Sequence, residues 1–338
     1  MVSAAPFLRF VIAGLLTRDF LVLPDGNVLN DVPGGNLLYT AAGMALWDEN
    51  IGFVGRINED YPREWLEKFK NRGFDVRGIQ VDTEYKDHRN FIAYPTIDGP
   101  SMENPLGHYA RVEKPLPKSL LGYVAPKNTN ANNYSQDSAI RLKEIPFDYL
   151  DVTAVHISAL DFASQTRLPS FFRLGHATTI SMLAANEYMN SLSWDVVPTV
   201  ITGINALICT EEQIRALFLG RSSDVWEMVE GLAMYGVEYI VIKTPKRRYM
   251  VYDHISKKRF ELPQYGSRVI DPTGSLDAFC GGFLAGLREE HQPVVAAMKG
   301  SISASLADEG SGPFYCSDAL PALVSARYDA LKSMVIQI

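Results

Sequence analysis

Five short apolar runs, FVIAGLL, IGFVG, AVHISAL, ALICT and YIVIKT, recur along the chain with helix-like segments such as REWLEKFKNRG, EEQIRALFLG and DVWEMVEGLAMYG between them. Strand-like runs alternating with helical patterns are the sign of parallel strands joined by helical crossovers. The expected fold class is therefore α/β, a mostly parallel central sheet flanked by helices. In such sheets ligands lie at the carboxyl ends of the strands, where loops and helix N-termini converge. Strand-to-helix turns are accordingly the places to look for chemistry.

Two stretches break the alternation. Residues 17 to 33 and about 80 to 112 contain FLVL, RNFIAYPTI and GHYARVE, bounded by Pro, Gly and Asp. They predict short antiparallel strands standing off the main sheet as a small β lid. Residues 1 to 338 are otherwise expected to form a single domain, without internal repeats. The Asn- and Ser-rich segment GYVAPKNTNANNYSQDS, residues 122 to 138, predicts an exposed loop.

Charge narrows the partners. A net charge of −7 and the absence of a Lys/Arg-rich block argue against a nucleic acid or an anionic membrane, and for small molecules. Cys209, Cys280 and Cys316 lack CxxC spacing and read as reduced thiols of a cytoplasmic protein. The run Phe7 to Leu16 is interrupted by Arg9 and reads as a buried first strand rather than a signal peptide. No run of 18 apolar residues predicts a membrane span. None of the histidines shows ligand spacing, and His156, in an apolar run, reads as a core residue.

The most informative turn is VIDPTGSLDAFCGGFLAGL, residues 269 to 287. An apolar strand end runs through Asp271, Pro272, Thr273 and Gly274 into a helix rich in small residues. A helix N-terminus presents unpaired N–H groups and a partial positive charge, which suits a phosphate or a developing anion. Asp277 in its first turn could equally be a dipole-stabilising acid, worth about 0.3–1 kcal/mol. Capping alone does not explain Ala278, Gly281, Gly282, Ala285 and Gly286, because each interior glycine costs roughly 1 kcal/mol relative to alanine. Close approach of another backbone would.

The stretch D-P-T-G-S-L-D-A-F-C-G-G-F resembles the C-terminal signature of the ribokinase-like (PfkB) carbohydrate and nucleoside kinases, D-[TP]-T-G-A-G-D-A-F-x-G-G-F. GGNLLYTAAGMALW, IGFVGRINED and LEKFKNRGFDVRGI are similar to the family's N-terminal signature, and GSISASLADEGSGP to the helix and loop that close its nucleotide pocket. The resemblance implies a ribokinase-like fold and an ATP-dependent phosphotransferase using Mg²⁺. It gives Asp277 the role of general base, and Gly274, Ser275 and Leu276 that of the anion hole. Asp19, Gly34, Gly35 and Asn36 would hold the acceptor, with Tyr39 where many members place a sugar-binding Asn. Thr210, Lys243, Thr273 and Ser303 would serve the nucleotide, and Glu212 and Gln213 would hold the magnesium through water. The partners implied are ATP and a sugar or nucleoside, with a homodimer through the lid as a further arrangement open to such strands.

The sequence departs from that pattern where the chemistry belongs. Leu276 replaces the second glycine of GAGD, which is costly if the backbone there needs positive φ, and which keeps the amide but changes the crowding near substrate if it is helical. Thr210 and Gln213 stand where the family has N-x-x-E, and TEEQ reads equally as a capped helix start. Pro245 and Arg248 occupy the glycine positions of K-x-G-x-x-G, and the run Lys246-Arg247-Arg248 suits either phosphates or a solvated hairpin tip. Two readings follow: an active kinase, or an impaired relative that binds a sugar or nucleotide without turnover or acts as a scaffold. No G-x-G-x-x-G opens a helix and no Walker A sequence is present, so a dinucleotide oxidoreductase is disfavoured.

Overall fold

The computed structural model describes residues 7–83, 86–125 and 139–338. Residues 126–138, most of the segment read as a loop, lie outside them. In chain order the strands are β1 (Phe10–Ala13), β2 (Thr17–Val22), β3 (Val28–Gly34), β4 (Ile51–Asn58), β5 (Asp75–Asp82), β6 (Arg89–Thr96), β7 (Gly99–Ser101), β8 (Ala154–Ile157), β9 (Thr179–Leu183), β10 (Ala206–Thr210), β11 (Tyr239–Thr244), β12 (Arg248–Asp253), β13 (Lys258–Pro263) and β14 (Ile336–Gln337). The helices are α1 (Asn36–Ala45), α2 (Arg63–Asn71), α3 (Pro105–Arg111), α4 (Phe162–Arg173), α5 (Val197–Ile201), α6 (Glu211–Leu217), α7 (Val225–Ala233), α8 (Ser275–Glu290), α9 (Pro293–Asp308), α10 (Phe314–Ser317) and α11 (Pro321–Lys332).

The large sheet has the order β14-β13-β12-β11-β10-β9-β8-β1-β4-β5 and is parallel from β11 to β5. All five apolar runs lie in it, with the N-terminal run forming β1 at an interior position between β4 and β8. Two-residue alternation divides their side chains between two cores. Val11, Val155, Leu207 and Ile240 face α4 to α7, whereas Phe10, Ile12, Ile208 and Val241 face α1, α8 and α9. The cysteines are free and buried. His156 is fully buried in β8 with Nδ1 2.9 Å from Ser181 Oγ, and burial drives its pKa down to about 3, so it stays neutral. Among the described residues no helix is long and apolar enough to cross a membrane.

The two irregular stretches supply a second sheet of order β3-β2-β6-β7. Two details differ from expectation. Residues 80 to 82 end β5 of the large sheet, and β2 pairs with β6 in parallel rather than antiparallel fashion. The reason is connectivity: β6 is reached through β4 and β5 of the large sheet, so the chain re-enters the lid from the same end as β2.

α8 is held between α1 and α9 by direct backbone approach. A Cβ on Gly43 would lie 2.1 Å from the Ala278 carbonyl oxygen, one on Gly281 2.0 Å from that of Thr40, and one on Gly282 2.4 Å from Ser303 Oγ. The small residues of the signature helix are therefore packing residues, and they fix where α8 begins. Gly281→Ala is expected to lower stability by about 2–4 kcal/mol. Gly266→Ala, where the added carbon meets nothing within 4 Å, is expected to stay within about 0.5 kcal/mol. Denaturant titration of the two variants measures both.

Candidate functional site

The second sheet presents two different faces to its surroundings. Asp19 lies opposite Asn90, Phe20 opposite Phe91, Leu21 opposite Ile92 and Val22 opposite Ala93. Phe20, Val22, Phe91 and Ala93 form an apolar cluster closed by Tyr109 of α3 and by Leu120. The alternate positions, Asp19, Asn90 and Tyr94, face the large sheet instead. Asp19 is 1 % exposed and accepts hydrogen bonds from Thr17 Oγ1 (2.5 Å) and Asn90 Nδ2 (3.2 Å). Burial pushes its carboxyl up to about 6, against these hydrogen bonds and with help from the charge of Asp271.

Gly34 and Gly35 form the cradle of that carboxylate. A Cβ on Gly34 would lie 1.9 Å from Asp19 Oδ2, and the Gly35 amide donates to the same group. Asn36 accepts from the Leu15 amide at 2.7 Å and donates to the Ala159 carbonyl at 2.9 Å. Its amide thus joins the ends of β1 and β8 and is not presented to an acceptor, which corrects the role implied for it.

The turn from Pro272 to Asp277 faces this carboxylate. Asp271 Oδ1 accepts from the Thr273 amide at 3.0 Å, and Thr273 Oγ1 donates to Tyr94 Oη at 3.0 Å, tying the turn to β6. Gly274 is left-handed (φ 71°, ψ 7°), and an added Cβ would lie 2.0 Å from the Tyr39 ring. No other residue type fits both demands. Tyr39 thereby covers the turn. Ser275, Leu276 and Asp277 are the first three residues of α8, and Leu276 is not among the positive-φ residues. Its side chain packs on the α8–α9 core, and its amide stays in the helix start, where no intrahelical acceptor exists. The leucine therefore carries no positive-φ strain.

On the other side of the turn lies a cavity of about 370 Å³ lined by Thr210, Glu211, Glu212, Lys243, Arg247, Ser275 and Asp308, with Ile97, Asp98 and Pro100 of the lid as one wall. The Lys243 side chain, at the carboxyl end of β11, makes no hydrogen bond or ion pair among the described residues. Burial lowers its pKa, opposed by the charge of Asp308. Asp277 keeps part of its surface open, but the surrounding protein pushes its carboxyl up to about 7, and Lys243 pulls it back. Asp308 accepts from Arg247 at 3.0 Å and from Gln264 at 2.6 Å.

Three implied residues are placed differently from expectation. Gln213 forms a capping box with Thr210: each amide donates to the other's side-chain oxygen, at 2.9 and 3.2 Å, and Gln213 Nε2 donates to Ala184 O and Asn186 Oδ1. Helix-end capping and these two contacts thus engage both the oxygen and the nitrogen of the side chain. Ser303 of α9 is fully buried against α1, donating to the Gly43 carbonyl and accepting from Trp47 Nε1, both at 2.9 Å, and does not line the cavity. Thr273 lies beneath the turn and braces it. Tyr94, Asn90 and Asp308 were missed. Asp308 carries a local sign, since a carboxylate at a helix C-terminus opposes the dipole, whereas the other two are brought in only by the lid's register.

A model of the pfkB family of carbohydrate kinases matches residues 119–320. The chain belongs to that family. A cytidine kinase from Thermococcus kodakarensis is 26% identical over 281 residues, spanning 82% of this chain and 88% of that protein. Among solved structures, a fructokinase with bound ATP from Xylella fastidiosa matches 96% of this chain and 100% of its own, with TM-score 0.70 and 15% identity. The Methanocaldococcus jannaschii nucleoside kinase, an archaeal member of the ribokinase family, matches 97% and 100%, with TM-score 0.66 and 15% identity. The ribokinase-like α/β fold implied by the signature is thereby established.

Carboxyl titration by NMR is expected to place Asp277 near pH 7 and Asp19 near pH 6. In Lys243→Met the Asp277 midpoint moves upward by about one unit, because an opposite charge is lost. A midpoint near 4 for Asp277, or no movement, contradicts this electrostatic description.

Proposed function

We propose that the protein transfers the terminal phosphoryl group of ATP to a hydroxyl of a sugar or nucleoside-like small molecule, with Asp277 as general base. The observation that carries this is the position of the turn Gly274–Asp277. On one side lies a cavity with a desolvated, unpaired lysine, and on the other a buried carboxylate held by the lid. A phosphoryl donor and an alcohol brought to such a turn meet at the start of one helix. Family membership and the similarity to a cytidine kinase support the acceptor class.

In this reading Asp19 and Asn90 orient the acceptor, and Tyr39 limits its approach. Asp277 takes the hydroxyl proton as that oxygen bonds to the phosphorus and the bond to the departing ADP oxygen breaks. The amides of Gly274, Ser275 and Leu276 hold the charge on the transferring group, and Lys243 supports it from the cavity. The residues fit a hydrated magnesium ion: Glu212 lies on the cavity wall with no ion-pair partner among the described residues, while Glu211 pairs with Arg215 at 2.7 Å. Mg²⁺ usually keeps several waters and one or two carboxylates, and supplies charge neutralisation between phosphates. The impaired reading rests on Leu276, Gln213, Pro245 and Arg248, and the helical backbone at Leu276 weakens it at the first of these positions only. A homodimer joined through the lid would use the edges β3 and β7, because the outward apolar face is covered by α3.

Asp277→Asn is expected to reduce kcat about 10²–10⁴-fold. Since burial raises the Asp277 pKa, ionising it costs stability as pH rises through about 7. The Asn variant should therefore be more stable than wild type at pH 8, with the advantage fading below about pH 4. Thermal melts across that range separate loss of chemistry from loss of fold. Leu276→Gly should give no gain in turnover and cost about 1 kcal/mol of stability. A marked gain would restore the impaired reading.

A further inference from the structure

The hairpin between β11 and β12 turns through three residues, Pro245, Lys246 and Arg247. The last position of such loops commonly takes the left-handed conformation and favours glycine. Here it is Arg247, at φ 52°. Non-glycine residues pay roughly 1–2 kcal/mol for that conformation, so the side chain has to return something for it. Lys246 points to solvent and Arg248 pairs with Glu261 at 3.1 Å, but Arg247 turns into the cavity. Its Nη1 donates to the buried Asp308 at 3.0 Å and its Nη2 to Asp98 at 3.3 Å. Asp98 sits on the β6–β7 turn of the lid, and its side chain is 71% exposed. One guanidinium therefore spans the cavity mouth from the α9 end to the lid, beside Lys243, with donors to spare beyond these two contacts.

We propose that Arg247 is a phosphate-binding and positioning residue that couples nucleotide entry to lid closure, an inference that rests on the phosphotransferase reading above. A phosphate beside Lys243 gives the guanidinium a third anionic partner next to Asp308. The cation is then held in place, and the lid, attached through Asp98, is held shut over the filled cavity.

The test uses the full chain with a non-hydrolysable ATP analogue and Mg²⁺, so no acceptor is needed. Calorimetry gives the Kd, and amide hydrogen exchange over residues 89–101 reports the lid. In wild type the analogue should slow exchange in β6 and β7 at least fivefold. Asp98→Asn should lose that slowing and, because coupling is reciprocal, weaken the analogue's Kd by no more than about the same factor. Arg247→Met should lose it too and weaken binding about tenfold, the size of a charge-assisted hydrogen bond. Slowing that persists in Asp98→Asn, or that wild type never shows while binding the analogue, overturns the coupling. No binding by wild type overturns the phosphotransferase reading itself, and the coupling with it.

Discussion

Backbone packed against backbone along α8 is the constraint on which the site depends. α1 and α9 approach that helix so closely that single methyl groups would not fit at Gly43 or Gly281. Contacts between backbones leave little freedom to slide, because interiors are packed as densely as organic crystals. The start of α8 is therefore fixed relative to β10, β11 and the lid. Gly274, Ser275, Leu276 and Asp277 inherit their positions from that clamp rather than from local hydrogen bonds. Glycines that weaken an isolated helix become stabilising once two neighbours close on them.

The charged groups are arranged at a cost that the rest of the fold has to offset. Asp19 and Asp277 are carboxylates whose burial works against their ionisation, and Lys243 is an ammonium without a close partner among the described residues. Perturbed groups of this kind cluster where proteins bind charge or move protons. Asp308 is different. With Arg247 and Gln264 around it, it is anchored, and it gives the hairpin arginine a fixed inner partner.

Much of this was legible in the sequence. The alternating runs announce the parallel sheet, and the D-P-T-G-S-L-D stretch locates the turn and its acid. What was missed depends on long-range geometry. Whether Leu276 harms the anion hole turns on one φ angle that composition does not reveal. Asn36 and Ser303 look like polar site residues in a motif, yet the half-buried Asn36 bonds backbone groups and the buried Ser303 bonds the Gly43 carbonyl and Trp47. Gln213 illustrates a competition: the same residue that could steady a hydrated cation is a better helix-capping partner for Thr210, and capping wins. Tyr94 could not be read at all, because its neighbour Thr273 lies 179 residues away in the chain.

Transfer of labelled γ-phosphate from Mg-ATP to a panel of sugars and nucleosides tests the central claim most directly. The account predicts labelled acceptor from at least one class, formed in step with ADP. Label appearing only as inorganic phosphate, or no transfer to any member of the panel despite nucleotide binding, would contradict it.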